Sequence, residues 1–152
     1  MILKVYEYPS AILRKISKPV KTIDKKIKKL CKDMVDTKNS MNAVGISAPQ
    51  VGHNLRIIVC QELPSSNDIV MINPVIVEHS SEKIVATEGC LSFPNEYWDN
   101  IPRYESVTVE YLSVNNVMHR KTITGFNARI VQHEMDHING ILSIDYQRSQ
   151  GL

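Results

Sequence analysis

His133-Glu134-Met135-Asp136-His137 reads H-E-x-x-H, and its reading decides the fold of this 152-residue chain. On a helix, residues four apart share one face. Two imidazoles there can grip one metal ion, with Glu134 beside them as a general base for a water held by that metal. The flanking pattern supports the helix. Phe126, Ile130, His133, His137 and Ile141 recur at spacings of three and four, while Arg129, Gln132 and Asp136 fall on the opposite side. Gly140 is a natural C′ stop. The alternative is a helix with two core histidines and a chance match, in which pattern and facing would agree only by accident.

Two histidines do not complete a site. Metzincin-type proteases place a third histidine ten residues after the first, and that position here is Ser143. Other zincins use a glutamate further downstream, but no Glu follows Glu134. The third donor therefore comes from upstream, among Cys31, Cys60, Cys90, His53, His79, His119 and the carboxylates.

Composition narrows the class. Hydrophobic residues make up 43% and charged residues 22%, the balance of a soluble globular protein, and the length suits a single catalytic domain over residues 1–152. A net charge of +2 is too small to argue for nucleic-acid binding or membrane attraction. Three widely spaced cysteines do not form a secreted disulfide framework, so a reducing compartment, the cytoplasm, is expected. No apolar run approaches membrane-spanning length, and the first residues are no signal peptide.

Residues 9–15 suggest a helical turn capped by Ser10. Ile23, Ile27, Leu30, Cys31, Met34 and Val35 form an apolar stripe that predicts an amphipathic helix from about Asp24 to Asn42, with Lys25, Lys26, Lys28, Lys29 and Lys32 on a solvated face. Ala43 to Gly52 is small and punctuated by Gly and Pro; it cannot continue that helix and lets another backbone come close. Strands are expected over Leu55–Cys60, Ile69–His79 (with Asn73-Pro74 breaking or edging it) and Lys83–Glu88, then an irregular loop over 95–104 and a hairpin from Ser106 to Thr124. Cys60 and Cys31 read as core residues, His79 and His119 as exposed. Cys90 differs: it follows a glycine and precedes a turn, so it can present sulfur into a cleft. A thiolate with two imidazoles leaves a tetrahedral metal one open position, the mark of a catalytic site. The expected fold is α+β, antiparallel sheets packed around a C-terminal metal-binding helix.

Three motifs in this order, G-I-S-A-P-Q at 45–50, E-G-C-L-S at 88–92 and Q-H-E-M-D-H at 132–137, resemble those of peptide deformylases, and the resemblance covers nearly the whole chain. Family members remove the formyl group from the N-terminal formylmethionine of new polypeptides. The resemblance implies that Cys90, His133 and His137 hold one divalent metal ion, Fe(II) in the cell and Zn, Ni or Co in preparations. It implies that Glu134 is the general acid/base and that Gln50 and the Leu91 amide are oxyanion donors. Val44, Gly45 and Gly89 would lie along the extended substrate, with Ile130 in the wall of the methionine pocket. The chain departs from the family at Ala43, Ile46 and Ser47, and it carries Tyr97 and Trp98 after Cys90, which should alter the pocket walls.

Only 12 residues follow Gly140, so the ribosome docking seen in relatives with a further C-terminal helix is not assumed, although transient ribosome association fits the substrate. The expected protein is a monomer in a bacterial cytoplasm, encoded by the cell or by a virus infecting it. Two other classes are distinguishable. A zinc peptidase would accept unformylated peptides, and a metal-stapled binding module would need neither Glu134 nor Gln50.

Overall fold

A computed structural model describes residues 1–149 as a helical N-terminal part, a run of strands and two C-terminal helices; the remainder of the expected domain, residues 150–152, lies outside the described residues. Helix α1 spans Lys25–Ser40, and Asp24 caps it by accepting a hydrogen bond from the Ile27 amide at 2.9 Å. Strands β1 (Gly45–Ser47), β2 (Ile57–Gln61), β3 (Asp68–His79), β6 (Ser106–Leu112) and β7 (Met118–Thr124) form one antiparallel sheet in the order β1-β2-β3-β6-β7. Strands β4 (Lys83–Cys90) and β5 (Phe93–Tyr104) form a second, two-stranded sheet. Helix α2 spans Gly125–Ile138, and α3 spans Ser143–Ser149.

Strand β2 reads as a nearly continuous apolar run because both its faces are covered. Ile57 and Val59 pack with Leu30, Cys31 and Met34 of α1 on one face, while Ile58 and Cys60 pack with Ala128, Val131 and Met135 of α2 on the other. Side chains alternate across a strand, so burial on both faces removes the polar half of the pattern. Met34 is fully buried, and such a side chain contributes about 1.5–3 kcal/mol.

Several expectations need correction. The 95–104 segment is strand, not irregular loop. Its pairing with β4 slips between Ala86/Glu88 and between Gly89/Cys90, and β5 carries the extra residues. Asn95 and Asn100 lie within those slips in left-handed conformation, at φ 63° and 59°. Two bulges break the period-2 pattern that marks a strand. Asn73 does the same at φ 52° in β3 without ending it; its side chain bridges the Val20 amide and carbonyl at 2.8 and 2.9 Å. A short 3-10 turn runs over Ala11–Arg14 as expected, but the Ser10 side chain makes no capping bond.

The facing of α2 also differs from its hydropathy pattern. Arg129 and Gln132 are buried, whereas Phe126 and Ile141 are exposed. The helix is covered on two sides, by the large sheet and by the β4-β5 arm, so it has no single polar face. Gln132 satisfies both partners of the Tyr104 backbone, at 2.9 and 2.8 Å. The helix ends as the sequence suggests: Asn139 is the cap and Gly140 follows at φ 72°.

Gly140 is doubly constrained. Besides its left-handed backbone, a Cβ there would meet the Arg14 carbonyl oxygen at 2.6 Å. Gly140→Ala should therefore lower stability by about 1–3 kcal/mol. Urea denaturation checks this; an unchanged midpoint would show that the N-terminal turn does not brace α2.

Candidate metal centre and its cleft

The two histidines lie one turn apart on α2, and Cys90 ends β4 beside them. The Cys90 Sγ, His133 and His137 donor atoms all fall within 4.8 Å of one another. Cys90 Sγ is 3.3 Å from His137 Nε2, which is 3.2 Å from His133 Nε2. Among the described residues, this is the one cluster of three or more such donors. One soft sulfur and two imidazole nitrogens suit a tetrahedral divalent metal with a fourth position open. Burial, then the charge on His133, holds His137 below the usual histidine range, which favours the neutral imidazole that a metal needs. These donors fit a metal. Cys31 and Cys60 stay in the core, where burial pushes the Cys31 thiol up to about 11 and the Cys60 thiol well above its ordinary value.

Gln50 reaches the cluster because Ser47 and Pro49 start a 3-10 turn over Ala48–Val51. Its Oε1 accepts from the Ser47 amide at 3.0 Å, an unambiguous donor, so its Nε2 must face the other way. That nitrogen lies 3.5 Å from Cys90 Sγ and 3.2 Å from Ser92 Oγ. Ser92 in turn donates to the Tyr6 carbonyl at 2.7 Å, which fixes its lone pairs toward Gln50.

Glu134 is buried, and its Oε1 has no hydrogen-bond partner. Burial pushes its carboxyl up to about 7. A group with that affinity can accept and return a proton near neutral pH. Its Oε2 would be 2.6 Å from a Cβ placed on Gly45. Gly45 has no positive φ, so a side chain here is disfavoured by crowding against the carboxylate and not by the backbone angle.

A cleft of about 580 Å³ opens over these groups. Val44, Gly45, Gln50, Gly89, Cys90, Leu91, Ile130, His133 and Glu134 all contribute to its lining, so the cleft gathers every sequence-predicted site residue except His137, which lies beneath them. Strand β1 is an edge strand and β4 has one open edge, and both border the cleft. Tyr97 is exposed and lies over Gly89 at the rim. Trp98 does not join it: it turns away and meets the Phe93 ring edge-on at 5.3 Å.

Sequence reasoning missed the groups behind the histidines. Glu88 Oε1 is 2.9 Å from His133 Nδ1, and Ser143 Oγ also reaches this carboxylate at 3.2 Å. Arg103 binds it through two nitrogens, both at 2.8 Å, and Arg129 adds a third at 2.7 Å. Burial alone would raise the Glu88 carboxyl; the hydrogen bonds from Arg103 and His133 outweigh it and hold the group well below the usual range. Arg103 also pairs with Asp136, which accepts from the Tyr146 hydroxyl at 2.7 Å. The available signal was Arg129 itself, a charge one turn before His133 on a helix too covered to expose it.

A carboxylate behind a metal-binding imidazole fixes its ring and tautomer, and losing one typically costs about 10–100-fold in metal affinity. Glu88→Gln should weaken metal retention by that order and lower the melting temperature. Chelator competition and thermal melting measure the two effects; unaltered retention would mean that Glu88 serves packing alone.

The chain is similar to known proteins over almost its whole length. Residues 2–151 match the family model described as polypeptide deformylase. A peptide deformylase of Dehalococcoides mccartyi is 40% identical over 149 residues, 98% of this chain and 88% of that protein. The crystal structure of the Thermotoga maritima peptide deformylase superposes with a TM-score of 0.91 at 36% identity, covering 95% of this chain and 97% of that one. A class I type b peptide deformylase from Acinetobacter baumannii, solved with Met-Ala-Ser bound, gives 0.90 at 38%, with coverages of 95% and 98%.

Proposed function

The chain belongs to the peptide deformylase family, metal-dependent hydrolases that remove N-terminal formyl groups from nascent formyl-Met polypeptides, and from that premise we propose how its own residues divide the work. The observation that carries the reading is the meeting of three donors, an oriented amide and a buried, near-neutral carboxyl in one cleft. Residues 1–152 act as a single catalytic domain in which α2 is the metal-binding helix and α1 the amphipathic N-terminal helix. Cys90, His133 and His137 hold one divalent ion, Fe(II) in the cell, with Zn, Ni or Co able to replace it. When bound, that ion supplies Lewis-acid chemistry, polarising the formyl carbonyl and acidifying water.

The remaining steps belong to the chain. The substrate lies extended between the open edges of β1 and β4, pairing its backbone with Val44, Gly45 and Gly89. Its methionine side chain enters the apolar pocket walled by Ile130. Glu134 takes a proton from the attacking water and returns it to the leaving amine, which frees the peptide amino group. As the formyl oxygen gains negative charge, Gln50 Nε2 and the Leu91 N–H donate to it. The products are formate and a peptide beginning with an unblocked methionine. The protein works as a monomer in the cytoplasm, meeting its substrate through transient association with the ribosome.

Formate release from a formyl-Met peptide tests the reading directly, and cleavage of unformylated peptides instead would replace it with a peptidase. In the same assay Glu134→Gln should keep metal and fold but lose about 10²- to 10⁴-fold in kcat, the usual contribution of a positioned base. Cys90→Ala should lose metal, whereas Cys31→Ala and Cys60→Ala should retain it. Near-normal turnover of metal-filled Glu134→Gln would reduce this residue to a bystander.

A thiolate-bound iron centre with an open position is exposed to oxidation. The Fe(II) form should therefore lose activity in air while the Ni form persists. Equal lifetimes in aerated buffer would count against iron as the cellular metal.

A further inference from the structure

Lys38, in the last turn of α1, is 1% exposed, although it takes no part in the chemistry of the cleft. Its ammonium Nζ lies 2.9 Å from Asp68 at the start of β3, 2.8 Å from Asn39 Oδ1 and 3.1 Å from the Ala43 carbonyl oxygen. An apolar residue of similar volume would fill this space without the cost of desolvating a charge. Besides pairing with the Asp68 carboxylate, the lysine adds a hold on one carbonyl at the border of the cleft.

That carbonyl sets the direction of the next amide. In a trans peptide unit the C=O and N–H point opposite ways, and the cis bonds among the described residues are at Tyr8-Pro9 and Leu63-Pro64, not here. With Ala43 O drawn inward to Lys38, the Val44 N–H is turned outward. Val44 O is committed to β2's end, accepting from the Gln61 amide at 2.8 Å. The Val44 N–H donates to no backbone acceptor among the described residues, and Ala43 and Val44 both line the cleft.

We infer that Lys38 is a positioning residue for substrate binding: by clamping the Ala43 carbonyl it presents the Val44 N–H to the backbone of the bound peptide. A cation on the carbonyl also polarises the peptide unit and strengthens its N–H as a donor. The inference rests on the reading of the β1 edge as the peptide-binding edge. It assigns to a buried charge on α1 a part in affinity but none in the chemical step.

The test compares the metal-loaded wild type with Lys38→Met/Asp68→Asn, in which the second change removes the buried carboxylate charge that the first would strand. With formyl-Met-Ala-Ser, KM should rise roughly 3- to 10-fold, the scale of one hydrogen bond, while kcat stays within about twofold. The Kd of the product peptide Met-Ala-Ser, measured by calorimetry, should rise by the same factor. Unchanged KM and Kd, or a loss confined to kcat, overturns the positioning role. If the double variant does not fold, amide exchange in the wild type decides: exchange at Val44 must slow when Met-Ala-Ser is added, and an unaltered rate overturns the inference. Failure of the wild type to release formate would instead strike the reading of the whole site, so the two failures are distinguishable.

Discussion

Burying Glu88 between Arg103 and Arg129 ties three separately folded pieces of chain to one point: β4 through the carboxylate, β5 through Arg103 and α2 through Arg129. His133 and Ser143 meet the same carboxylate. Buried ion pairs rarely add much net stability, because desolvation consumes the Coulombic gain. Their value is geometric. With Asp136 included, two carboxylates face two guanidinium groups, and each can be satisfied in only one arrangement of the β4-β5 arm against α2. That arrangement brings Cys90, two residues beyond Glu88, to the histidines.

The division of labour between the sheets follows. The five-stranded sheet and α2 form the larger core, and they carry β1, Gln50 and the wall of the cleft behind Glu134. The two-stranded arm carries Cys90 and the opposite wall. The cleft is the seam between the two sheets, and α2 packs against both. Its helical period places the two imidazoles toward the arm and Ala128, Val131 and Met135 toward the sheet. Placing donors on such a helix gives them a stiffer support than a loop could.

The donor cluster was legible because it obeys local rules. Residues four apart on a helix share a face whatever surrounds it, the lack of a downstream donor points upstream, and the glycine and turn flanking Cys90 single it out. The support was not legible, because its residues break the rule that charge marks the surface. Their spacing puts Arg129 and Gln132 on the polar face of α2, yet both are buried and hydrogen-bonded. Lys38 was hidden for the same reason within a lysine-rich helix. Strand β5 escaped because Asn95 and Asn100 each add a left-handed residue, which shifts the alternation out of phase. Local propensity is visible in one chain; the partner that permits a buried charge sits 15 to 41 residues away, as in Glu88 with Arg103 and with Arg129.

Gly45 carries a different kind of constraint. Many glycines are irreplaceable because of a backbone angle, but this one is extended, and any L-residue could adopt its conformation. What crowds a side chain here is the Glu134 carboxylate, whose oxygen would lie 2.6 Å from an added Cβ and would have to shift. Tolerance at this position is therefore conditional on its neighbour. A chain that shortened or lost the acid could accept alanine at 45 without that contact, and the acid would then return only with its carboxylate displaced. The two positions are thus coupled in sequence space, the cleft's edge to the acid beside it.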